Sequence, residues 1–343
     1  MDQLRRRLTL FLALVAMTAT AAPARAIIVF GGRDAAGNPA DTGSNLNPPP
    51  ANLGDYEGHF GSFLGTPVAP RYFLTASHLG DAGNGLFTYN NGTSTATTYH
   101  VTNVTPASMR GTDLALWQIA ATDPAFSLFA PLYAANTEKG NAAVMIGNGT
   151  ARGPVISNAA GEPVGWQWAG SVGQSTWGTG SVADVQTAAQ VQAPQGFGGD
   201  FLILNFDKIG DPDRGSFSPG DSGGATFVYN PFDRRYELAG VNSLVDGQFY
   251  LTKDGPAISG AIYDLRGFYY KDEHGVFQQI PDPGFPVPIS SYASRVYSAF
   301  GAIYGVTGVP EPGSVVLLGV GLAGALGLAW RSRRSPGRGA GRA

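Results

Sequence analysis

A serine flanked by glycines, in the run Gly220-Asp221-Ser222-Gly223-Gly224, is the feature of this 343-residue chain that most directly suggests chemistry. Glycine has no Cβ, so these positions let the backbone turn tightly around an exposed hydroxyl. The same turn can direct the backbone N–H groups of Gly220 and Ser222 at one point, where a carbonyl oxygen would lie during attack by the Ser222 hydroxyl. The pentapeptide therefore predicts a nucleophile together with an oxyanion hole.

A serine of this kind needs a base to activate it and a third group to orient that base. Among the four histidines, His78 follows the apolar residues 73–77, which predict a buried strand that ends at the histidine. Asp113 stands directly before a second apolar strand, residues 114–117. The sequence around the other histidines indicates structural or solvated roles: these are His59, His100 and His274.

Three windows of the chain together resemble the chymotrypsin-like (trypsin-fold) serine proteases, in the order of that family's motifs. They are Thr75-Ala76-Ser77-His78, Asp113-Leu114-Ala115-Leu116 and the GDSGG run that contains Ser222. The resemblance implies that Ser222 is the nucleophile, His78 the general base and then acid, and Asp113 the group that holds the His78 tautomer. It also implies an all-β fold of two packed, antiparallel six-stranded barrels with a short C-terminal helix.

The N-terminus has the organisation of a secretory signal peptide. Arginines at positions 5–7 give it a basic start, an apolar run covers residues 8–22, and Ala24-Arg25-Ala26 forms an A-x-A cleavage site. We therefore expect signal peptidase to remove residues 1–26. A permanent membrane anchor is the alternative, which the shortness of the apolar run disfavours.

A second targeting segment is predicted at the C-terminus, residues 309–343. Pro310-Glu311-Pro312 is followed by 17 apolar or small residues at 314–330 and then by an arginine cluster. Such a run just suffices for a transmembrane helix, and the arginines would hold its far end in the cytoplasm. The order of the three parts resembles a PEP-CTERM sorting signal. That resemblance implies an exosortase as a processing enzyme and a location at the cell surface or in the exopolysaccharide matrix of a Gram-negative bacterium. A plain membrane anchor is the alternative.

Charge and cysteine content exclude several classes of protein. The two ends hold nine of the 22 basic and two of the 25 acidic residues, which leaves 13 basic and 23 acidic residues in 27–308. Without a basic stripe, nucleic-acid binding is disfavoured. The chain has no cysteine, so disulfides and thiolate metal sites are excluded, and no cofactor or metal is expected. Asp207, Asp211 and Asp213 leave a calcium site open, although the spacing of a calcium loop is missing.

Glycine and proline punctuate the middle of the chain, as in an all-β protein. The sequence has 49 glycines and 24 prolines between short apolar runs. Candidate strands lie at 71–76, 86–90, 98–104, 114–120, 142–147, 201–206, 224–229, 236–243 and 259–263. The protease-like domain is predicted to cover residues 27–308, with the first barrel in 27–147 and the second in 148–305. The catalytic residues would then face the cleft between the barrels.

Two further segments carry specific expectations. Residues 148–200, rich in Gly, Gln and Ser, are predicted to be a long insertion with short strands around three tryptophans, at positions 166, 168 and 177. The spacing of Tyr292, Val296 and Phe300 predicts a helix over residues 290–304.

The resemblance also implies a mode of activation. Many members of that family have a new N-terminal ammonium group that pairs with the Asp before the nucleophile and so orders the oxyanion hole. Cleavage after Ala26 would expose Ile27, and its ammonium would pair with Asp221. The spacing departs from the family's pattern, and a plain first strand is the alternative for this segment.

Specificity is predicted from the position six residues before the nucleophile, where the resemblance places the base of the primary pocket. Ser216 stands there instead of an acidic residue, so cleavage after Arg or Lys is not expected. Residues 238–245 resemble the strand that lines the pocket in that family. Within this stretch, Ser243 would support the Asp113 side of the triad, and the side chain of Val245 would narrow the primary pocket. A small or medium apolar side chain is the expected preference.

The leading hypothesis from the sequence is a secreted serine endopeptidase that acts on a protein or peptide substrate through an acyl-enzyme. A catalytically idle relative, used as a matrix or adhesion module, is the first alternative. Retention of His78, Asp113 and Ser222 argues against it. An esterase that uses the same triad is a second alternative, but GDSGG in an all-β chain differs from the G-x-S-x-G of α/β-hydrolases.

Overall fold

A computed structural model describes residues 27–171, 175–207, 210–272 and 274–307 of the chain. Two closed, antiparallel six-stranded barrels form its centre, as the sequence predicts. Within the described ranges no helix is long and apolar enough to cross a membrane. The predicted signal peptide and the C-terminal segment with its helix at 314–330 lie outside these ranges.

The strands are, in chain order, β1 (Ile28–Val29), β2 (Gly58–Phe60), β3 (Phe63–Ala69), β4 (Tyr72–Ala76), β5 (Leu86–Tyr89), β6 (Thr97–Asn103), β7 (Leu114–Ile119), β8 (Ala142–Gly147), β9 (Thr150–Ser157), β10 (Pro163–Ser171), β11 (Thr176–Thr187), β12 (Asp200–Asn205), β13 (Gly215–Ser216), β14 (Ala225–Asn230), β15 (Arg235–Val245), β16 (Gly260–Ile262), β17 (Tyr269–Lys271), β18 (Phe277–Gln279) and β19 (Ser290–Arg295). Short 3₁₀ helices cover Pro50–Tyr56, Ser77–Leu79, Ala107–Met109 and Val296–Ala299, and the α-helix α1 covers Phe300–Thr307. All nine candidate strands of the sequence fall on observed strands.

The first barrel closes in the order β2-β3-β4-β7-β6-β5 around an aromatic core. Alternate residues of its strands point inward, and Phe73 on β4 stacks on Phe87 on β5 with ring centroids 4.0 Å apart. Phe60 and Trp117 extend the cluster. Bulky rings at alternating positions therefore fill the barrel without any disulfide.

The second barrel closes in the order β11-β12-β19-β15-β14-β8. Strand β8 pairs with β11 and β14 and so belongs to this barrel, whereas the boundary expected at residue 147 assigned it to the first. The stretch 120–141 connects the two barrels along the chain.

The segment 148–200 differs from the expected insertion. Its strand β11 is twelve residues long and is part of the second barrel, with Trp177 near its start. Of the strands described in this segment, β9 and β10 lie outside the barrel, and they form a three-stranded sheet with β16 that carries Trp166 and Trp168. The glycine content of β11 is typical of a loop, but Gly178 has a packing role in this strand. A Cβ at this position would lie 2.7 Å from the Ile27 side chain.

The helix predicted over residues 290–304 is also shorter than expected. Residues 290–295 form β19, which pairs with β12 on one side and β15 on the other and so closes the barrel. The helical part begins with the 3₁₀ turn at Val296 and continues as α1 to Thr307. Backbone pairing with two neighbouring strands outweighs the helical spacing of the apolar side chains.

The two barrels pack against each other through a continuous apolar core. Leu64 and Leu74 of the first barrel lie in one buried cluster with Ile146, Phe227 and Val241 of the second. Burial of such side chains stabilises by about 1.5–3 kcal/mol each, so this contact fixes the relative position of the barrels. Residues held by different barrels can therefore meet with defined geometry.

Candidate active site

His78 and Asp113 are brought together by the pairing of two strands in the first barrel. Strand β4 runs into the 3₁₀ turn that contains His78, and Asp113 directly precedes β7. The pairing of Ala76 with Leu114 places the end of one strand beside the start of the other. The Nδ1 atom of His78 lies 2.9 Å from Asp113 Oδ2 and 3.0 Å from Oδ1.

Ser222 comes from the second barrel, on the turn that leads into β14, and meets the opposite edge of the imidazole. Its Oγ lies 2.9 Å from His78 Nε2. The structure thus brings together the three predicted catalytic residues as a serine–histidine–aspartate chain of contacts. This is the arrangement in which a histidine can take the serine proton while the carboxylate stabilises the resulting cation.

The carboxylate of Asp113 is buried and held by several donors. The backbone N–H of His78 donates to Oδ1 at 2.9 Å, and the Ser77 hydroxyl donates to the same oxygen at 3.0 Å. The Ser243 hydroxyl donates to Oδ2, as the sequence predicted for the Asp113 side. An ionised carboxylate accepts only, so His78 must carry its proton on Nδ1, which leaves Nε2 as an acceptor for the serine.

The glycine turn around Ser222 has backbone conformations that favour glycine. Gly220 has φ of +97° and Gly223 has φ of +84°. A Cβ on Gly223 would lie 2.4 Å from the Leu64 carbonyl oxygen, so no larger residue fits there. In the part of the chain that the structure describes, neither the N–H of Gly220 nor that of Ser222 donates to a backbone acceptor. Both remain available for a developing oxyanion.

Asp221 turns away from the cleft into the protein, beside the chain's first described residue. Its Oδ1 accepts the Gly149 N–H at 2.7 Å, and its Oδ2 accepts the Ser218 N–H at 2.7 Å. The backbone N–H of Ile27 also hydrogen-bonds this carboxyl group. Burial raises the pKa of Asp221 to about 6, and the surrounding N–H groups oppose that shift. The structure therefore brings Ile27 and Asp221 together.

Ser216 is buried at the position predicted for the base of the specificity pocket. Its Oγ lies 3.5 Å from that of Ser291 on β19, which also accepts the Phe217 N–H at 2.9 Å. Val245 pairs with Ser291 across β15 and β19. Sequence reasoning missed Ser291, because only barrel closure brings β19 to this place.

Acidic and histidine side chains elsewhere do not converge on this site. The carboxylate of Asp213 forms a bidentate ion pair with Arg33, with a shortest N–O distance of 2.7 Å. His100 lies at the surface, 3.4 Å from Asp123. Among the described residues no group of three or more His, Cys, Asp or Glu side chains could hold a metal ion.

One aromatic residue near the triad was not singled out from the sequence. The ring of Phe197 stacks on the imidazole of His78, with centroids 5.1 Å apart and an interplanar angle of 28°. Its only sequence signal is its place between Gly196 and Gly198, within a segment that the sequence predicts to be an insertion.

The paired barrels and the short C-terminal helix place the protein in the trypsin-like fold class. Residues 308–334 match the family model for the PEP-CTERM protein-sorting motif, which confirms the resemblance of the C-terminus. Among solved structures, the chain is similar to a mutant of human heparin binding protein. The two are 14% identical with a TM-score of 0.44, over 76% of this chain and 94% of that chain. No curated protein sequence matches the chain.

Proposed function

We propose that the protein is a serine endopeptidase that hydrolyses peptide bonds through an acyl-enzyme. The observation that carries the proposal is the contact of His78 Nε2 with Ser222 Oγ at 2.9 Å, made across two barrels while Asp113 holds the other imidazole nitrogen. A histidine with a purely structural role would not require a serine from the other barrel beside its Nε2 atom.

In the proposed mechanism His78 takes the proton of Ser222 as its Oγ attacks the carbonyl carbon of the substrate. The oxygen of the tetrahedral intermediate lies against the N–H groups of Gly220 and Ser222. His78 then gives the proton to the departing amine, and the acyl group remains on Ser222. Water, deprotonated by His78, releases the acyl group and restores the serine.

The direct test is labelling with a fluorophosphonate probe, which reacts only with an activated serine. We expect the exported protein to gain the mass of one probe, and the Ser222→Ala variant to gain none. Ser127→Ala removes an exposed serine and is the matched control that should label normally. A folded wild-type protein without label would contradict the proposal and favour an idle matrix module.

Export is proposed to activate the enzyme. Signal peptidase cleavage after Ala26 would give Ile27 a free ammonium group at the place where its N–H already meets Asp221. An ammonium group there would favour the ionised carboxylate and hold the turn of Gly220 and Ser222 in place. No further proteolytic step would be needed.

The primary specificity is proposed to be for small or medium apolar side chains. The proposed pocket has two hydroxyl groups and one branched side chain, from Ser216, Ser291 and Val245. The carboxylate of Asp213 is already paired with Arg33. A peptide library that is cleaved only after Arg or Lys would refute this preference.

The PEP-CTERM motif indicates export and sorting to the cell envelope of a Gram-negative bacterium, and it implies processing by an exosortase. We propose that the mature enzyme acts at the cell surface or in the extracellular matrix, on protein or peptide substrates. Detection of the protein in surface and matrix fractions, with mass spectrometry of both of its ends, tests this location.

A further inference from the structure

The connection between β11 and β12, residues 188–199, leaves the second barrel and crosses to the first. Thr112, next to the catalytic Asp113, forms a backbone bridge with Gly198. A Cβ on Gly198 would lie 1.8 Å from the Gly111 carbonyl oxygen, so the two backbones are in direct contact. We call residues 188–199 the crossing segment. It is attached at its base as well, since the Ala188 N–H donates to the Gly199 carbonyl at 2.9 Å.

The crossing segment carries Phe197 to the triad. Two nearby glycines have positive φ, Gly196 directly before this residue at +95° and Gly199 two residues after it at +84°. The Phe197 N–H donates to the Pro194 carbonyl at 3.0 Å, which closes a turn. Its ring then lies 5.1 Å from that of His78, in a stacked orientation.

Both edges of the His78 imidazole are already used, one by Asp113 and the other by Ser222. Only the faces of the ring are open to other groups, and Phe197 covers one of them. Offset stacking of this kind stabilises the relative orientation of the two rings. Phe197 therefore restrains the imidazole and also occupies space beside it.

An extended substrate attacked by Ser222 would lie against His78, because Ser222 Oγ and His78 Nε2 are 2.9 Å apart. Its scissile residue would point toward Ser216, and side chains alternate along an extended strand. The preceding residue on the acyl side would therefore point away from Ser216, and we place it beside His78 and Phe197.

We propose that Phe197 is a specificity-determining residue that restricts this preceding position of the substrate to small side chains such as Gly and Ala. The inference rests on the proposed peptidase function and adds a substrate class to it. The substrate is then a protein segment with a small residue before a small or medium apolar one.

The test uses pairs of chromogenic peptides that differ only at the preceding position, Gly in one and Leu in the other. We expect the wild-type enzyme to prefer Gly in kcat/KM by about tenfold or more. Phe197→Ala should bring this ratio close to one, mainly by faster cleavage of the Leu peptide. Phe232→Ala removes an exposed phenylalanine and should leave the ratio unchanged. An unchanged ratio in a Phe197→Ala variant that still reacts with the fluorophosphonate would overturn the proposal.

A second measurement separates failure of this inference from failure of the proposed function. Removal of the Phe197 ring current should shift the imidazole C–H resonances of His78 in the NMR spectrum, even in an inactive protein. If the resonances shift but no wild-type serine reacts with the probe, the contact is real and the peptidase function is wrong, so the substrate restriction is wrong with it. If the resonances do not shift, Phe197 does not cover His78 in solution and the inference is wrong by itself.

Discussion

At the scale of single residues, the carboxylate of Asp113 determines which nitrogen of His78 carries the proton. Three donors other than the imidazole hold it, from His78 N–H, Ser77 and Ser243. These contacts satisfy the buried charge and aim it at Nδ1 of His78. A neutral amide in its place could donate to Nδ1 and leave the proton on Nε2, where it would block the serine.

We therefore expect Asp113→Asn to lower kcat by about 10³–10⁴-fold with little change in fold. Asp123→Asn, at the surface beside His100, is the matched control and should keep full activity. Steady-state kinetics with a small ester substrate would measure both variants. A loss of less than tenfold for Asp113→Asn would show that the carboxylate does not set the tautomer.

Glu57 is a half-buried acid outside the proposed catalytic residues, at the junction of the barrels. It lines a cavity of about 330 Å³ together with His59 and Trp177. The Thr66 hydroxyl donates to its Oε1 at 2.9 Å, while its Oε2 has no hydrogen bond of good geometry among the described residues. Burial raises the pKa of Glu57 from 4.5 to about 8, so the group carries a proton at neutral pH.

This raised pKa lowers stability as pH rises. Below pH 4.5 the carboxyl is protonated in both states and has no effect. Between pH 4.5 and 8 only the unfolded state releases the proton, which lowers the free energy of unfolding by up to about 5 kcal/mol. Glu57→Gln should therefore raise the melting temperature at pH 8 and leave it unchanged at pH 4. The exposed Glu162→Gln is the control; an equal gain at both pH values would contradict the assignment.

Residue types and their order were enough to find His78, Asp113 and Ser222, because the chemistry of the triad limits which side chains can serve. Ser291 and Phe197 could not be found in this way. A serine and a phenylalanine are common residues, and their places beside Ser216 and His78 depend on barrel closure and on the crossing segment.

At the scale of elements, the first described residues are anchored by burial of a side chain as well as by strand pairing. The Ile27 side chain is fully buried, and Ile28 pairs with Ser216 on β13. Gly178 and Gly215 make room for Ile27, since a Cβ on either would lie within 3 Å of its side chain. Ile27 is therefore fixed against the second barrel, next to Asp221, where the proposed cleavage would create the new N-terminus.

Addition of one glycine before Ile27 in the processed protein should lower activity by about 10²–10³-fold, because it moves the ammonium group by about 3.8 Å and leaves a buried carboxylate unpaired. Ile27→Val keeps the position of the charge and is the matched control. Probe labelling rates, with the N-terminus confirmed by mass spectrometry, would measure the effect. Full activity of the extended protein would refute activation by insertion.

Strands were predicted well where apolar residues alternate or run together, as in β4, β7 and β8. The sequence does not predict β11, because the glycines at its start give it the composition of a loop. Gly178 is required there by the close approach of Ile27, which is a tertiary contact. The helical spacing of Tyr292, Val296 and Phe300 predicts a helix that includes residues 290–295. This local spacing contains no information on the strand that the barrel needs for closure.

At the scale of the whole molecule, the active site depends on the apolar contact between the barrels. Phe227 on β14 is fully buried in this contact and lies near Tyr56 of the first half, with ring centroids 5.8 Å apart. Its loss would leave a cavity between the two sources of the triad.

Phe227→Ala should lower the free energy of unfolding by about 3–5 kcal/mol, as expected for a buried aromatic residue. Phe232→Ala, with 77% of the residue exposed, should change it by less than about 0.5 kcal/mol. Chemical denaturation followed by tryptophan fluorescence would compare the two. Similar values for both variants would mean that the barrel contact contributes little to stability.

The triad is divided along the chain as well as between barrels, since 144 positions separate His78 from Ser222. A polypeptide that is still crossing a membrane in extended form has its base and its nucleophile far apart. Only closure of both barrels brings His78 and Ser222 into contact. Under the proposed function, peptidase activity would therefore arise only after both barrels have closed.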